Sequence, residues 1–141
     1  MDDLPAAPYD QSGAIPYRWN DGRLEVLLIT SRRTGRWIIP KGMVEPGLGP
    51  ALSAAEEAYE EAGVHGALAA APLGSYAYAK QGYRWTVSVY ALAVESVLER
   101  WPEMRSRRRA WHPVEAAATL ADGPGLQALI AALRESVASN Q

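Results

Sequence analysis

The first half of the chain alternates short apolar runs with turn residues, a pattern typical of β-strands. Residues 12–19 and 24–30 are apolar runs on either side of Asn20-Asp21-Gly22. Asp-Gly between two apolar runs is a strong signal for a β-hairpin. The second run is almost continuously apolar, as expected for a strand covered on both faces of a sheet. A shorter strand is predicted at 37–39, where Pro40 ends it.

One helix is predicted in the middle of the chain, after a loop at 43–50 that is rich in glycine and proline. Residues 51–62 are mostly alanine and glutamate, which are good helix formers. Pro50 suits the first turn of a helix, and Gly63 follows where a left-handed residue commonly ends one. We therefore expect a helix over 51–62.

The second half of the chain predicts more strands and two further helices. Strands are expected at 64–70, 73–80, 83–94 and 107–111. Helices are expected at 113–118 and 126–137, the latter with an apolar stripe. Residues 95–106 are polar and predict irregular structure or a frayed helix. The order of elements predicts one α/β domain over 12–137 with a mixed sheet, preceded by a loose arm at 1–11.

The central helix has four glutamates within six residues: Glu56, Glu57, Glu60 and Glu61. With Glu56 at zero, Glu60, Glu57 and Glu61 lie at about 40°, 100° and 140° around the helix axis. The i,i+4 pairs in this set are like-charged, and each costs about 0.2–0.5 kcal/mol. A solvated acidic face is the ordinary explanation. The spacing also suits carboxylates that converge on one hard cation such as Mg²⁺, which prefers oxygen ligands.

The same residues resemble a known family motif, the Nudix box. That box is a glycine, a loop, and then Arg-Glu-apolar-X-Glu-Glu-X-Gly-apolar. Its spacing is matched here by Gly42, Glu57, Ala58, Glu60, Glu61, Gly63 and Val64. The segments Trp-Ile-Ile-Pro-Lys-Gly and Arg-Arg-Ala-Trp-His-Pro-Val-Glu-Ala resemble the diphosphoinositol polyphosphate and diadenosine polyphosphate hydrolase branch. The resemblance covers most of 12–137 and implies a Nudix-type α/β/α sandwich, with the box helix on one side and a C-terminal helix.

The resemblance also implies roles for the box residues. Glu57 and Glu61 would bind Mg²⁺, or Mn²⁺ in its place, together with the carbonyl of Gly42. Glu60 would be the general base or an additional metal ligand, and Glu57 is the other candidate for the base. The box departs from the family pattern at two positions, where Leu48 replaces a glutamate and Glu56 replaces an arginine. Since these two positions usually pair in the family, both partners of one ion pair are lost together, which is milder than losing one.

A phosphate-rich substrate needs positively charged partners. The candidates near strand ends are Arg18, Arg32, Lys41, Lys80, Arg107 and Arg109, with Ser31 beside Arg32. Arg107 and Arg109 lie two residues apart, so an extended segment places them on one face. By resemblance, Ser31, Arg32, and Arg107 or Arg109 lie near phosphate-contacting positions, and Lys41 and Arg32 are the first choices. Tyr76, Tyr78 and Trp85 are candidates for stacking on a base, whereas Trp37 and Trp111 are expected in the core.

Composition and charge narrow the function classes. The chain has no cysteine, which excludes disulfides, thiolate metal sites and thiol nucleophiles and agrees with a cytoplasmic location. Its net charge of −2 argues against a nucleic-acid partner. No apolar stretch approaches the roughly 20 residues that span a bilayer, and the N-terminus does not resemble a signal peptide. We expect a monomer or a homodimer.

These observations predict a Mg²⁺-dependent pyrophosphohydrolase. Its substrate would be a polyphosphate small molecule, with diadenosine polyphosphates as the first candidate and diphosphoinositol polyphosphates as the second. The alternative is a Nudix-fold sensor that binds a nucleotide but has lost turnover, which the changes at Leu48 and Glu56 motivate. A decapping-type RNA enzyme is a third possibility, but it predicts a more basic surface.

Overall fold

A computed structural model describes residues 3–137. The strands are β1 (Gln11–Asn20), β2 (Arg23–Thr30), β3 (Trp37–Ile38), β4 (Lys41–Met43), β5 (Val64–Leu68), β6 (Gly74–Lys80), β7 (Tyr83–Val97) and β8 (Arg109–Pro113). The helices are α1 (Gly49–Glu57), α2 (Val114–Leu120) and α3 (Pro124–Val137), and α1 continues directly into a π-helical turn, Ala58–Ala62. This order confirms the predicted α/β class.

The strands form one mixed sheet. Its main path runs β3-β2-β1-β7-β5, with β4 paired to β1, β6 to β7 and β8 to β2. The pair β1–β7 is parallel, whereas the other paired strands are antiparallel. The predicted hairpin joins β1 and β2, and its turn contains Asp21 and Gly22, both with positive φ. Because β7 is the long central strand, β1 and its short partner β4 lie in the middle of the molecule.

Helices cover both faces of the sheet. The side chains of β2 alternate between two cores, with Leu24, Val26 and Leu28 in one and Leu27 and Ile29 in the other. The first core contains α2 and α3 and the large apolar residues Leu126, Ile130 and Leu133. The second contains α1 and the small residues Ala54, Ala58 and Ala62, which allow that helix to approach the sheet closely. The continuous apolar run in β2 is explained by this double burial.

Several boundaries differ from the sequence prediction. The central helix begins at Gly49 and ends in the π turn, and β4 forms at Lys41–Met43, just before and at the start of the predicted loop, where no strand was expected. The last strand runs from Arg109 to Pro113 rather than over 107–111. Residues 98–108 between β7 and β8 contain turns and no helix in the described structure.

The stretch before β1, expected as a loose arm, contacts the sheet. Ala6 pairs in parallel with Arg84, and the N–H of Ala7 donates to the Arg84 carbonyl at 2.9 Å. A guanidinium nitrogen of Arg84 donates in turn to the carbonyl of Leu4 at 3.0 Å. The arm is therefore attached to the start of β7. No helix among residues 3–137 is long and apolar enough to cross a membrane.

Candidate functional site

The carboxylate of Glu57 packs directly against the backbone of Gly42. A Cβ atom added to Gly42 would lie 2.5 Å from Cδ of Glu57, closer than real Cβ atoms approach a carbon. Only glycine leaves room for the carboxylate at this point. The contact joins the end of α1 to β4, the strand that the sequence prediction missed.

Glu57 and Glu61 bring their carboxyl groups together. The two groups are close enough to form a hydrogen bond with each other when one of them holds a proton. Burial raises the pKa of Glu57 to about 8, and the hydrogen bond to Glu61 and its charge add to the shift. Burial also raises the pKa of Glu61, against the opposing effect of Arg107. Two carboxyl groups this close together repel each other when both are ionised. Their oxygens are already positioned as ligands for a hard cation, which would offset that charge.

Other groups fix Glu61 from both sides. The backbone N–H of Lys41 donates to Oε1 of Glu61 at 3.2 Å. Nη2 of Arg107 lies 3.6 Å from Oε2 of the same carboxylate, and both side chains are buried. Glu61 is therefore held between β4 and the segment that precedes β8.

Glu60 is not part of this pair, and its convergence with Glu57 and Glu61 on one cation stays a prediction. A π turn rotates less per residue than an α-helix, roughly 80° instead of 100°. Glu61 then stays within roughly 40° of Glu57, whereas Glu60 moves roughly 120° away. Glu60 is partly exposed, and burial together with the nearby charges of Glu56 and Glu103 raises its pKa. Among residues 3–137, no three acidic or histidine side chains are close enough to hold a metal ion by themselves.

The backbone geometry also changes which carbonyl could help to bind a cation. Gly42 is paired with Ser12 of β1, and the flanking bonds from Val44 to Asp10 and from Ala14 to Pro40 make this a hydrogen-bonded pair. The Gly42 carbonyl, which the resemblance suggested as a ligand, therefore faces β1. The N–H of Lys41 faces Glu61, and the carbonyl of the same strand residue opens to the same side.

The two residues that depart from the box do not enter the site. Glu56 is exposed on the outer surface of α1, and Leu48 is 36% exposed at the N-cap of the same helix, where it makes no side-chain cap. The loop before α1 is instead joined to the helix by Ser53, whose buried Oγ accepts the N–H of Glu45 at 2.9 Å.

A pocket of about 310 Å³ opens beside Lys41. Its apolar and aromatic wall is made by Tyr76, Tyr78, Ile38 and Leu126. Its polar groups come from Lys41, Lys80, Arg33, Ser31 and Thr34 and from one acid, Asp122, which is paired with Arg36. Nζ of Lys41 lies 5.0 Å from the centre of the Tyr78 ring, close enough for a cation–π contact. Burial lowers the pKa of Lys41, opposed by Glu61 and assisted by Lys80. The predicted residues Lys41, Lys80 and Ser31 therefore line one cavity, which an anionic ligand would suit.

Ser31 also belongs to a second crevice, of about 340 Å³, that contains Arg32, Arg105 and Arg107. Arg32 is largely exposed and lies 3.9 Å from Glu103, the longest ion pair in the described structure. Its guanidinium therefore keeps most of its hydrogen-bonding capacity for a ligand. Glu103 was not singled out from the sequence, because a lone acid in a polar loop gives no signal.

Two predicted substrate residues have other partners. Arg18 lies in β1, about 20 Å along the strand from the residue opposite Gly42, where its Nε donates to Glu25 at 2.7 Å. The guanidinium of Arg109 donates to the carbonyls of Ala62, Gly63 and Leu98 and stacks 3.7 Å from the Trp101 ring. Neither residue is in position to bind the ligand of the Lys41 pocket. Trp37 and Trp111 pack against the two cores, as predicted.

The chain matches known proteins in sequence and in fold. The NUDIX domain model matches residues 11–133. Diphosphoinositol polyphosphate phosphohydrolase 2 of Rattus norvegicus is 43% identical over 96 residues, which are 66% of this chain and 52% of that protein. Diphosphoinositol polyphosphate phosphohydrolase 3-beta of Homo sapiens is also 43% identical over 96 residues, 66% of this chain and 57% of that protein. The chain thus spans about half the length of the curated relatives it matches.

Two solved structures show the likeness in fold. A C. elegans Ap4A hydrolase in a binary complex superposes with a TM-score of 0.76 at 24% identity, covering 93% of this chain and 98% of that one. A NUDIX hydrolase from Nitrosomonas europaea superposes with a TM-score of 0.72 at 19% identity, covering 92% and 90% of the two chains. At these identities the likeness shows the fold alone, and it agrees with the predicted α/β/α sandwich.

Proposed function

The chain belongs to the Nudix family, and from this premise we propose that it is a pyrophosphohydrolase that cleaves a diphosphate linkage with the help of a divalent cation. The observation that carries the proposal is the carboxyl pair of Glu57 and Glu61, packed against Gly42 and beside the Lys41 pocket. Burial and mutual repulsion make it costly to ionise both Glu57 and Glu61. A divalent cation bound between them would offset the charges of both carboxylates.

The proposed cation ligands are the carboxylates of Glu57 and Glu61 and the carbonyl of Lys41, with Glu60 at the margin of the site. Mg²⁺ or Mn²⁺ bound there would withdraw charge from phosphoryl oxygens and acidify a water molecule. Glu60 is the proposed general base, because it is the carboxylate outside the hydrogen-bonded pair and is partly open to solvent. Glu57, the other sequence candidate, is committed to the pair.

The substrate is proposed to be a polyphosphate small molecule. Lys41, Lys80, Ser31 and Arg32 would bind its phosphates, and the tyrosine wall of the pocket suits an apolar ring face such as a purine. The names of the two 43% identical relatives favour diphosphoinositol polyphosphates. The aromatic wall favours diadenosine polyphosphates, so both classes need to be assayed.

The test is a substrate panel assayed with metal titration. The purified chain is incubated with diadenosine polyphosphates and diphosphoinositol polyphosphates at increasing Mg²⁺ or Mn²⁺, and products are separated by ion-exchange chromatography. We expect metal-dependent cleavage of at least one class, and a large loss of kcat in Glu57→Gln and Glu61→Gln. Cleavage that persists in a chelator, or in both variants, would contradict the proposed site.

A sensor without turnover is the second candidate, and a specific observation favours it. Both Leu48 and Glu56 are exposed and leave the helix without the ion pair that the family usually has there. Isothermal titration with the same ligands separates the two functions. Tight binding with no product at high protein concentration would indicate a sensor.

A cytoplasmic location and a monomeric or homodimeric state stay predictions from the sequence. Light scattering during size-exclusion chromatography decides the second of these.

A further inference from the structure

The segment 98–108, called here the β7–β8 connection, covers the end of the box helix. The last carbonyls of a helix lack partners within the helix and must find them elsewhere. Here the N–H of Glu103 donates to the carbonyl of Glu60 at 3.0 Å, and Nε1 of Trp101 donates to that of Glu61 at 3.1 Å. The N–H of Leu98 donates to the carbonyl of Gly63 at 2.8 Å.

Arg107, which belongs to the same connection, contacts the carboxylate of Glu61, a proposed cation ligand. Its Nε donates to Oε1 of Glu103 at 2.9 Å, its Nη1 donates to the Thr30 carbonyl at 3.0 Å, and its Nη2 faces Oε2 of Glu61 at 3.6 Å. The planar guanidinium thus joins a loop acid, a strand end and the metal-site acid in one fixed fork. Its side chain is only 8% exposed.

These contacts argue against the substrate-binding role that the sequence suggested for Arg107. A phosphate ligand needs free, accessible N–H groups, and all three nitrogens of this guanidinium already face protein oxygens. Arg32, in the same crevice, is mostly exposed and has one distant partner. The two arginines therefore differ in what they can do, although both lie near the same acids.

We propose that Arg107 is a positioning residue: held by Glu103 and the Thr30 carbonyl, it fixes the carboxylate of Glu61 in the orientation that binds the divalent cation. This inference rests on the proposed metal-dependent function. The β7–β8 connection would therefore supply the positive charge that orients Glu61. The helix cannot supply it, since α1 and its π turn contain no basic side chain.

The test compares cation affinity with substrate affinity in three variants. Arg107→Met removes the charge and keeps the length of the side chain, Arg107→Lys keeps the charge without the fork, and Arg108→Met makes the same change at an exposed neighbour. Isothermal titration of Mn²⁺ into the full chain should show binding weakened about tenfold in Arg107→Met, as for other residues that orient ligands, with partial recovery in Arg107→Lys. Arg108→Met should bind like the wild type.

The direction of the change in Mn²⁺ affinity is decisive. If Arg107 acted only through its charge, its removal would relieve repulsion of the cation and tighten Mn²⁺ binding. Unchanged or tighter Mn²⁺ binding in Arg107→Met overturns the positioning role. So does a raised KM with unchanged Mn²⁺ affinity, which would make Arg107 a substrate residue. If the wild type binds no divalent cation, the proposed metal-dependent function fails. If the wild type and Arg107→Met bind the cation equally, only the positioning role of Arg107 fails.

A second variant guards against misfolding of Arg107→Met. Glu103→Gln weakens the anchor of Arg107 from the more exposed side of the network and should weaken Mn²⁺ binding by a smaller factor, with a cooperative thermal transition retained. Full Mn²⁺ affinity in a folded Glu103→Gln protein, together with an unfolded Arg107→Met, also counts against the positioning role.

Discussion

At the scale of single residues, the site holds two carboxyl groups so close together that they would repel each other if both were ionised. Glu57 lies against Gly42 and shares a hydrogen bond with Glu61, and neither residue has a lysine or arginine on its own helix. Arg107 and the Lys41 N–H relieve Glu61 only. In the absence of a cation, the cost of this arrangement therefore falls mainly on Glu57.

A pH-dependent stability follows for the metal-free protein. Because the pKa of Glu57 rises from its ordinary 4.5 to about 8 on folding, the folded state binds more protons than the unfolded state between these values. The free energy of unfolding should therefore fall as pH rises from about 4.5 to about 8. Glu57→Gln removes this loss.

Urea unfolding in the presence of a chelator, at several pH values between 5 and about 8.5, measures the effect. The exposed neighbour on the same helix provides the matched control, as Glu56→Gln. We expect the control to follow the wild type and Glu57→Gln to become more stable than the wild type at the upper end of the range. Parallel curves for all three proteins would refute the buried pair.

Gly42 gives a second residue-scale prediction. In Gly42→Ala, the new methyl group would meet the Glu57 carboxylate, the flexible end of a side chain, which can move away at little cost in stability. A displaced ligand should lower kcat/KM by about tenfold to a hundredfold, since small misplacements of reacting groups are costly. Gly47→Ala, in the same loop and with open space around it, is the control. Activity retained in Gly42→Ala would show that close approach of Glu57 to this strand is not needed.

At the scale of elements, the central feature is a helix whose last turn is π-helical and whose carbonyls are taken up by the β7–β8 connection. The sequence predicted the helix and its glycine end, because alanine content, Pro50 and Gly63 are local signals. It did not predict the π turn or the separation of Glu60 from Glu61. The carbonyls of this turn accept hydrogen bonds from Trp101 and Arg109, which lie 40 and 47 residues further along the chain, so no local sequence signal reports them.

The last strand shows the same limit. Alternation of Arg107 and Arg109 predicted one phosphate-binding face, but β8 begins only at Arg109. Before that point Arg107 turns inward to Glu61 and Thr30, and Arg109 is drawn to the carbonyls at the helix end. Period-two patterns assume a strand, and here tertiary contacts to the helix decided where the strand starts.

Gly63 tests the junction between the helix and the connection. It adopts φ +67°, and an added Cβ would lie 2.6 Å from Nη1 of Arg109 and 2.8 Å from the Trp101 ring. Left-handed backbone alone costs a non-glycine residue about 1–2 kcal/mol. Gly22 has φ +76° but open space around it, so Gly22→Ala reports the backbone cost without the contact. In urea unfolding, Gly63→Ala should lose more stability than Gly22→Ala, whereas equal losses would mean that neither Trp101 nor Arg109 packs closely against the helix end.

At the scale of the whole molecule, the site lies where the two layers of the sandwich meet the same short strand. The acids come from α1 on one face of the sheet. Tyr76, Tyr78 and Leu126 of the pocket come from β6 and α3, on the side of the other core. Lys41 of β4 contacts both, through its N–H to Glu61 and its ammonium group over Tyr78. The sequence indicated both groups of residues, but only the sheet topology shows which basic residues share the site with the acids.

This topology separates Lys80 from Arg18, which the sequence placed in one class. Lys80 lines the pocket with Lys41, whereas Arg18 lies at the far end of β1, paired with Glu25 and stacked 4.1 Å from the Trp111 ring.

Lys80→Met should raise KM for a polyphosphate substrate roughly three- to tenfold with kcat little changed, because a charged contact made equally in the ground and transition states is lost. The KM of the wild type should rise with ionic strength more steeply than that of the variant, since added salt screens the same contact. Arg18→Met should leave KM unchanged and lower the Tm instead, through loss of its ion pair and ring contact. Steady-state kinetics at two salt concentrations and a thermal melt of each variant distinguish these outcomes, and a raised KM in Arg18→Met would mean that the substrate extends along the whole of β1.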